Sequence, residues 1–109
     1  MALKSLNVEQ LHQLYTQAEK PIQLIDVREA HEWQIGHVPK SKHIPMGELS
    51  QTLTTQQTNK RQPLYLICRS GNRSSIVGKE LCELGYEEVY NVEGGIMDWA
   101  MFGYPLSLE

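Results

Sequence analysis

Short apolar runs alternate along the chain with stretches in which apolar residues recur at helical spacing. The apolar runs predict four short buried strands, over residues 22–27, 43–44, 63–67 and 89–92. Helical spacing predicts helices over residues 8–19, 29–34, 74–84 and 96–100, and one or two helical turns over 47–53. The polar tract 50–62 lacks sustained periodicity, and we interpret most of it as a surface connection. Strands that alternate with helices are typical of an α/β domain with a largely parallel sheet.

Local signals predict where two of these helices begin and end. Asn7, followed three residues later by Gln10, matches a capping box at the start of the first helix. The helix over 74–84 is expected to be capped by the Ser74 hydroxyl and to end at Gly85. Its expected inward-facing side chains are those of Ile76, Val77, Leu81 and Leu84.

The length and composition indicate one globular domain. A chain of 109 residues is near the commonest domain size, so we expect a single domain over 1–109. Hydrophobic residues make up 40% and charged residues 21%, which argues against disorder. The net charge of −3 gives no general attraction to nucleic acid or to a membrane, so we expect neither as a partner. The chain lacks a long apolar run and its first ten residues lack a secretory signal, so the expected location is the cytoplasm.

The segment LICRSGNRSS, residues 66–75, carries the candidate chemistry. Cys68 directly follows a buried strand, and ligands of open α/β sheets bind beyond the carboxyl ends of the strands. The loop leads into a helix whose first N–H groups lack intrahelical partners and whose dipole favours an anion. Gly71 allows a positive φ, so that successive amides can surround one point, and Arg69 and Arg73 add positive charge. We therefore expect a thiolate nucleophile at Cys68, with a pKa below the usual range, and a small anionic substrate.

A buried cysteine is more commonly a small core residue than a nucleophile. For Cys68, the strand end, the glycine, the two arginines and the following helix favour the functional interpretation. Cys82 lies inside a predicted helix without such surroundings, and we expect it to be a core residue. We expect both to be free thiols, because eight helical residues alone rise about 12 Å and a disulfide requires Cα atoms within about 7 Å.

Other polar residues have structural explanations. Asp26, at the end of a strand, is expected to accept backbone N–H bonds or to pair with Arg28, and so to support the loop. His37 is expected to make a hydrogen bond that stabilises a turn. Gly94-Gly95 lacks the residues of a phosphate-binding loop and predicts a tight turn. The histidines show no metal-ligand spacing, and nothing indicates a metal or an organic cofactor.

Three segments together resemble a known family, the single-domain rhodaneses, which are sulfurtransferases. The segments are LIDVREAHEWQIGHVPKSKHIP (24–45), LICRSGNRSS (66–75) and NVEGGIMDW (91–99), in the family's order. The resemblance implies an α/β fold with a parallel, roughly five-stranded sheet flanked by helices on both faces. It also implies that Cys68 accepts a sulfane sulfur as a persulfide. The loop residues that it implies around the substrate are Arg69, Ser70, Gly71, Asn72, Arg73 and Ser74.

The reaction that the resemblance implies is a double displacement. A small anionic donor such as thiosulfate transfers its outer sulfur to Cys68, and a thiophilic acceptor then removes it. The implied acceptor is cyanide or a thiol, and a protein acceptor is also consistent with the resemblance. We expect Arg69 and Arg73 to orient the anionic donor.

Two alternatives remain open for the sequence. Phosphatases and arsenate reductases share the fold, but the phosphatases place five residues between cysteine and arginine, whereas four separate Cys68 from Arg73 here. The residue directly before Cys68 is Ile67 and not a histidine, which also favours sulfur over phosphorus. A non-enzymatic binding module is the second alternative, and the presence of the thiol and both arginines weakens it. One departure concerns the turn at Lys40, Ser41 and Lys42, where the family usually has a glycine and an alanine.

Overall fold

The computed structural model describes residues 2–108, so residues 1 and 109 of the predicted domain lie outside it. Strands and helices alternate through this range. The strands are β1 Lys4–Leu6, β2 Leu24–Asp26, β3 Lys42–His43, β4 Leu64–Ile67 and β5 Val89–Val92. The helices are α1 Val8–Gln17, α2 Ala30–Ile35, α3 Leu49–Thr55, α4 Asn72–Glu83 and α5 Gly95–Met101. No helix within residues 2–108 is long and apolar enough to cross a lipid bilayer.

The five strands form one sheet in the order β1-β5-β4-β2-β3, and every neighbouring pair is parallel. The prediction of an α/β fold with a roughly five-stranded parallel sheet is therefore confirmed. Strand β1 was not predicted, because its three residues show no buried apolar run and two of them are exposed. Pairing with β5 extends the sheet by this edge strand, with Lys4 opposite Tyr90 and Leu6 opposite Val92.

Side chains of successive strand residues point to opposite faces of the sheet, and each face is covered by helices. Ile25, Leu66 and Val89 pack on one face against the buried residues of α3 and α4. Leu24, Ile67 and Val92 pack on the other face against α1 and α5. The expected helices on both faces are thus present, and the core consists of two apolar layers that hold the central strands.

The predicted boundary signals are mostly confirmed. The Asn7 side chain accepts a hydrogen bond from the Gln10 N–H at 2.8 Å, and the Gln10 side chain accepts one from the Asn7 N–H at 2.9 Å. Gly85 follows α4 with a φ of +97°, as expected for a helix end. The prediction that Ser74 caps α4 is wrong, because the helix begins at Asn72 after Gly71, whose φ is +106°. The turn at Gly71 starts the helix early enough to place Ser74 in its first turn.

One expectation about buried side chains is wrong. In α4, Ile76 is 61% exposed and Leu84 is 45% exposed, although Val77 and Leu81 are buried as expected. The helix turns by about 100° per residue, which carries Ile76 away from the buried face set by Val77 and Leu81. Leu84 is the C-cap residue, so it lies past the end of the helix rather than on that face. Most of the tract 50–62 is a surface connection, as predicted, since only residues 50–55 lie in α3, and that helix overlaps the helical turns predicted over 47–53. That helix buries only two leucines, too few to produce a visible period.

Candidate active site

Cys68 lies where the sequence predicts it, directly after β4 at the carboxyl edge of the sheet. The register places Ile67 opposite Asp26 of β2, so both strands end at the same level. The Cys68 side chain is 1% exposed, and the thiol is free. The segment from Cys68 to Gly71 turns sharply into α4, which brings the first turn of that helix beside the sulfur.

The sulfur of Cys68 accepts hydrogen bonds from the residues that follow it. The N–H of Gly71 lies 3.1 Å from Sγ, the N–H of Ser74 lies 3.5 Å away, and the Ser74 hydroxyl lies 3.3 Å away. Burial raises the pKa of the Cys68 thiol, but hydrogen bonds from the Ser74 hydroxyl and from the amides of Ser74, Gly71 and Ser70 outweigh it. The net pKa of Cys68 is lowered, which favours the thiolate.

The two loop arginines have different surroundings. Arg73 makes a bidentate ion pair with Glu32 of α2, with Nη1–Oε1 at 2.6 Å and Nη2–Oε2 at 2.8 Å. The hydrogen bond from Arg73 lowers the pKa of Glu32 to about 2, and Glu32 in turn raises the pKa of Arg73. Arg69 is exposed, as are Ser70 and Asn72, and no ion pair of Arg69 occurs within the described residues. The charge of the Arg73 guanidinium is therefore paired with Glu32, whereas the Arg69 guanidinium is exposed and available to a ligand.

Helix α5 holds the backbone of the loop in place. The N–H of Ile96 donates to the Cys68 carbonyl at 2.9 Å, and the N–H of Met97 donates to the Arg69 carbonyl at 3.0 Å. Gly94 and Gly95 form the predicted tight turn, with φ values of +80° and +53°. A Cβ on Gly95 would collide with the Cys68 carbonyl oxygen and would lie 2.6 Å from that of Arg69. Glycine is therefore required for this close approach, a role that the sequence did not reveal.

A buried polar pair lies beside the sulfur. Ser74 is fully buried, and its Oγ lies 2.5 Å from Oδ1 of Asn91, a residue of β5 that is 7% exposed. The sequence analysis did not identify Asn91 or Glu32. An asparagine within the apolar run VYNV was the one signal for Asn91, because buried positions of short strands rarely hold an amide without a partner.

Asp26 and Arg28 form the buried pair that the sequence predicts as a support. The Asp26 carboxylate accepts hydrogen bonds from the Arg28 N–H at 3.0 Å and from its guanidinium at 2.8 and 3.0 Å. Arg28 also donates to the Gly36 carbonyl at 2.7 Å, which ties the end of β2 to the end of α2. The His37 ring nitrogen Nδ1 lies 2.9 Å from the Trp33 carbonyl, which is the expected turn contact. This network fixes α2, the helix that carries Glu32.

Two other predictions of the sequence concern residues away from the thiol. Cys82, a residue of α4, is 5% exposed, packs in the core layer between that helix and the sheet and is free, as expected. Lys40 adopts a φ of +68°, a left-handed conformation that favours glycine. The turn whose sequence departs from that usual in the family therefore keeps a backbone conformation typical of glycine, although Lys40 occupies the position.

Comparisons with known proteins agree with the fold. The family model for the rhodanese-like domain matches residues 7–102. A Bacillus subtilis protein named "Putative sulfurtransferase YtwF" is 43% identical over 83 residues, which cover 76% of this chain and 78% of that protein. Another, "Putative sulfur carrier protein YrkF", is 33% identical over 82 residues. These cover 75% of this chain but only 43% of YrkF, so the chain spans less than half of that relative.

A solved structure shows the same fold over nearly the full length. The crystal structure of a rhodanese-like domain protein from Staphylococcus aureus is 33% identical and superposes with a TM-score of 0.84. The match covers 97% of this chain and 98% of that one. Together with the family model, it shows that the chain belongs to the rhodanese-like domain family.

Proposed function

We propose that this chain is a sulfurtransferase that carries a sulfane sulfur as a persulfide on Cys68. The observation that carries the proposal is the set of donors around Sγ: the amides of Gly71 and Ser74 and the Ser74 hydroxyl. These donors stabilise a negative sulfur at the carboxyl edge of the sheet, where substrates of open α/β folds bind. Family membership and the names of the relatives YtwF and YrkF support a role in sulfur transfer.

In the first half of the cycle, the Cys68 thiolate attacks the outer sulfur of an anionic donor such as thiosulfate. A bond forms between Sγ and that sulfur, the sulfur–sulfur bond of the donor breaks, and sulfite leaves with the electron pair. Sulfite is a stable anion, so the step requires no general acid. The lowered pKa of Cys68 supplies the thiolate without a neighbouring base.

In the second half, a thiophilic acceptor removes the outer sulfur. Cyanide or a thiolate attacks it, the bond to Sγ breaks, and the electron pair returns to Cys68 as a thiolate. A thiol on a partner protein would serve in the same way. Each half of the cycle is one displacement at sulfur, so neither needs an electron from outside or a metal ion.

The surrounding loop would bind the donor and stabilise the negative charge as it passes between Sγ, the transferred sulfur and the leaving sulfite. The amides of Ser70, Gly71 and Ser74 turn toward the sulfur, and Asn72 opens α4 just beyond them. Exposed Arg69 is the guanidinium available to meet an anionic donor, since the charge of Arg73 is already paired with Glu32. Arg73 would act mainly by fixing the loop to α2. This division leaves Arg69 as the unpaired guanidinium at the loop among the described residues.

Turnover with competing substrates tests the proposal. The protein is assayed for thiocyanate formation from thiosulfate and cyanide, and in parallel for hydrolysis of an aryl phosphate and reduction of arsenate. We expect thiocyanate formation that is lost in Cys68→Ala and kept in Cys82→Ala, the matched control at the other buried thiol. Turnover of the phosphate or arsenate alone would support the oxyanion alternative. No turnover of any substrate would support a binding module.

A further inference from the structure

The hydroxyl of Ser74 has two acceptors and one proton. Its Oγ lies 2.5 Å from Asn91 Oδ1 and 3.3 Å from Cys68 Sγ, and all three groups are buried. A carbonyl oxygen and a thiolate sulfur are both acceptors, so the hydroxyl proton can bond to only one of them at a time. The cycle described above uses the bond to sulfur and leaves Asn91 without a role.

The charge on Sγ determines which of the two acceptors receives the hydrogen bond from the Ser74 hydroxyl. A neutral thiol is a weak acceptor, so the hydroxyl donates to the nearer Asn91 oxygen. A thiolate is a charged acceptor, and charge-assisted hydrogen bonds are about twice as strong as neutral ones, which draws the proton toward sulfur. In a persulfide the negative charge lies on the outer sulfur, and Sγ is again a weak acceptor. The Ser74 proton then needs another partner, because a buried hydroxyl without one costs free energy.

We propose that Asn91 is a positioning residue that accepts the Ser74 hydroxyl proton whenever the negative charge is absent from Sγ. The hydroxyl would then change acceptor twice in each cycle, toward sulfur when the thiolate forms and back to Asn91 when the persulfide forms. This inference rests on the proposed function. It assigns to β5 a part in the chemistry, since β5 places Asn91 opposite Leu66, two residues before Cys68.

The charged groups near the thiol also influence the Cys68 titration, but they stay the same when only Ser74 and Asn91 are changed. The field of Arg73 reaches Cys68, and Arg73 is paired with Glu32 of α2. The charged groups around the loop are Asp26 at the end of β2 and Arg28 after it, Glu32 on α2, Arg69 and Arg73 in and after the loop, Glu93 after β5 and Asp98 on α5. The other charged residues of α4, Lys79, Glu80 and Glu83, are exposed. None of them bonds to Ser74 or Asn91 in the hydrogen bonds within residues 2–108, so changing that pair leaves them in place.

A double-mutant cycle on the thiolate titration tests the proposal. Thiolate absorbance at 240 nm is followed against pH for the wild type, Asn91→Leu, Ser74→Ala and the double variant, with Cys68→Ser as the blank. Leucine keeps the branching of asparagine without an acceptor. We expect Asn91→Leu to move the Cys68 titration to lower pH by about 0.5–1 unit, because sulfur becomes the sole acceptor. Ser74→Ala should move it to higher pH by about one unit, since the thiolate loses a donor.

The decisive result is the shift in the double variant. If Asn91 acts through the Ser74 proton, Asn91→Leu causes no further shift once Ser74 is alanine. An equal shift in both backgrounds, or none in either, would overturn the inference. Asn91→Ala repeats the comparison with a smaller side chain. If the titration shifts of Asn91→Leu and Asn91→Ala differ, the shift of the leucine variant reflects a packing defect.

A second readout follows the persulfide. At a fixed thiosulfate concentration, we expect the fraction of Asn91→Leu that holds a sulfur on Cys68 to fall severalfold, because the hydroxyl proton loses its partner in that state. The fall should vanish in the Ser74→Ala background. A wild type that takes up no sulfur would refute the proposed function, whereas the titration would still decide whether the hydroxyl has two acceptors.

Discussion

Replacing Gly95 with alanine tests whether α5 holds the Cys68 loop in its position. Gly95 has a φ of +53°, a conformation that costs an alanine about 1–2 kcal/mol. The new Cβ would collide with the Cys68 carbonyl oxygen and approach that of Arg69 to 2.6 Å, so loop and helix must separate. Separation strains two hydrogen bonds, each worth about 1 kcal/mol, and overpacking adds about 1–3 kcal/mol. We expect a loss of roughly 4 kcal/mol or more in the free energy of unfolding.

Gly103→Ala is the matched control for this change. Gly103 also has a positive φ, +76°, but a Cβ there meets no atom within 4 Å. The control should lose only the conformational part, about 1–2 kcal/mol. Urea unfolding measures both variants, and the thiolate titration of Cys68 should move to higher pH in Gly95→Ala alone. Unfolding free energies of the two variants within about 1 kcal/mol of each other would refute the claimed contact between α5 and the loop.

Two further changes test the surroundings of the loop. Glu32→Gln should cost about 1–2 kcal/mol near neutral pH, since Arg73 lowers the Glu32 pKa from 4.5 to about 2 and solvent screens the pair in part. Because the folded pKa is the lower one, this stabilisation exists above about pH 4.5 and is lost toward pH 2. The difference in urea stability between wild type and variant should therefore shrink from about pH 6 to about pH 3, whereas Glu80→Gln, at an exposed site, should show no such trend. Lys40→Gly should raise the melting temperature or leave it unchanged, because glycine relieves a φ of +68°, whereas Lys42→Gly in β3 should lower it. A melting temperature that falls equally in both lysine variants would contradict the assigned turn.

The sequence predicted those parts of the fold that depend on local patterns. The runs at β4 and β5 are apolar and bounded by turn residues, and the capping box at Asn7 is complete within four residues. Strand β1 was missed because a short edge strand is defined by its neighbour, β5, rather than by its own residues. The helical turns predicted over 47–53 correspond to most of α3, and the sequence missed only the last residues of this helix, since two buried leucines alone do not produce a period.

The residues of the candidate site likewise fall into those that a local segment predicts and those that depend on contacts between distant segments. Cys68, its loop and the first turn of the following helix lie within ten consecutive residues, so their chemistry could be predicted from the segment alone. Glu32 lies 41 residues before its partner Arg73, and Asn91 lies 17 residues after Ser74. Such contacts form only when the folded sheet brings distant residues together, and a single sequence does not indicate which distant residues will meet. The close approach of Gly95 to the Cys68 carbonyl, which lets the Ile96 N–H donate to it, likewise depends on how α5 packs beside β4.

The most direct test of the central claim is the mass of the intact protein after brief exposure to thiosulfate, with and without a following cyanide wash. The account predicts a gain of one sulfur atom in the wild type and in Cys82→Ala, its removal by cyanide, and no gain in Cys68→Ala. A wild type that gains no sulfur from thiosulfate, polysulfide or a low-molecular-weight persulfide would contradict it. A gain that persists in Cys68→Ala would contradict it as well, because the sulfur would then be carried elsewhere.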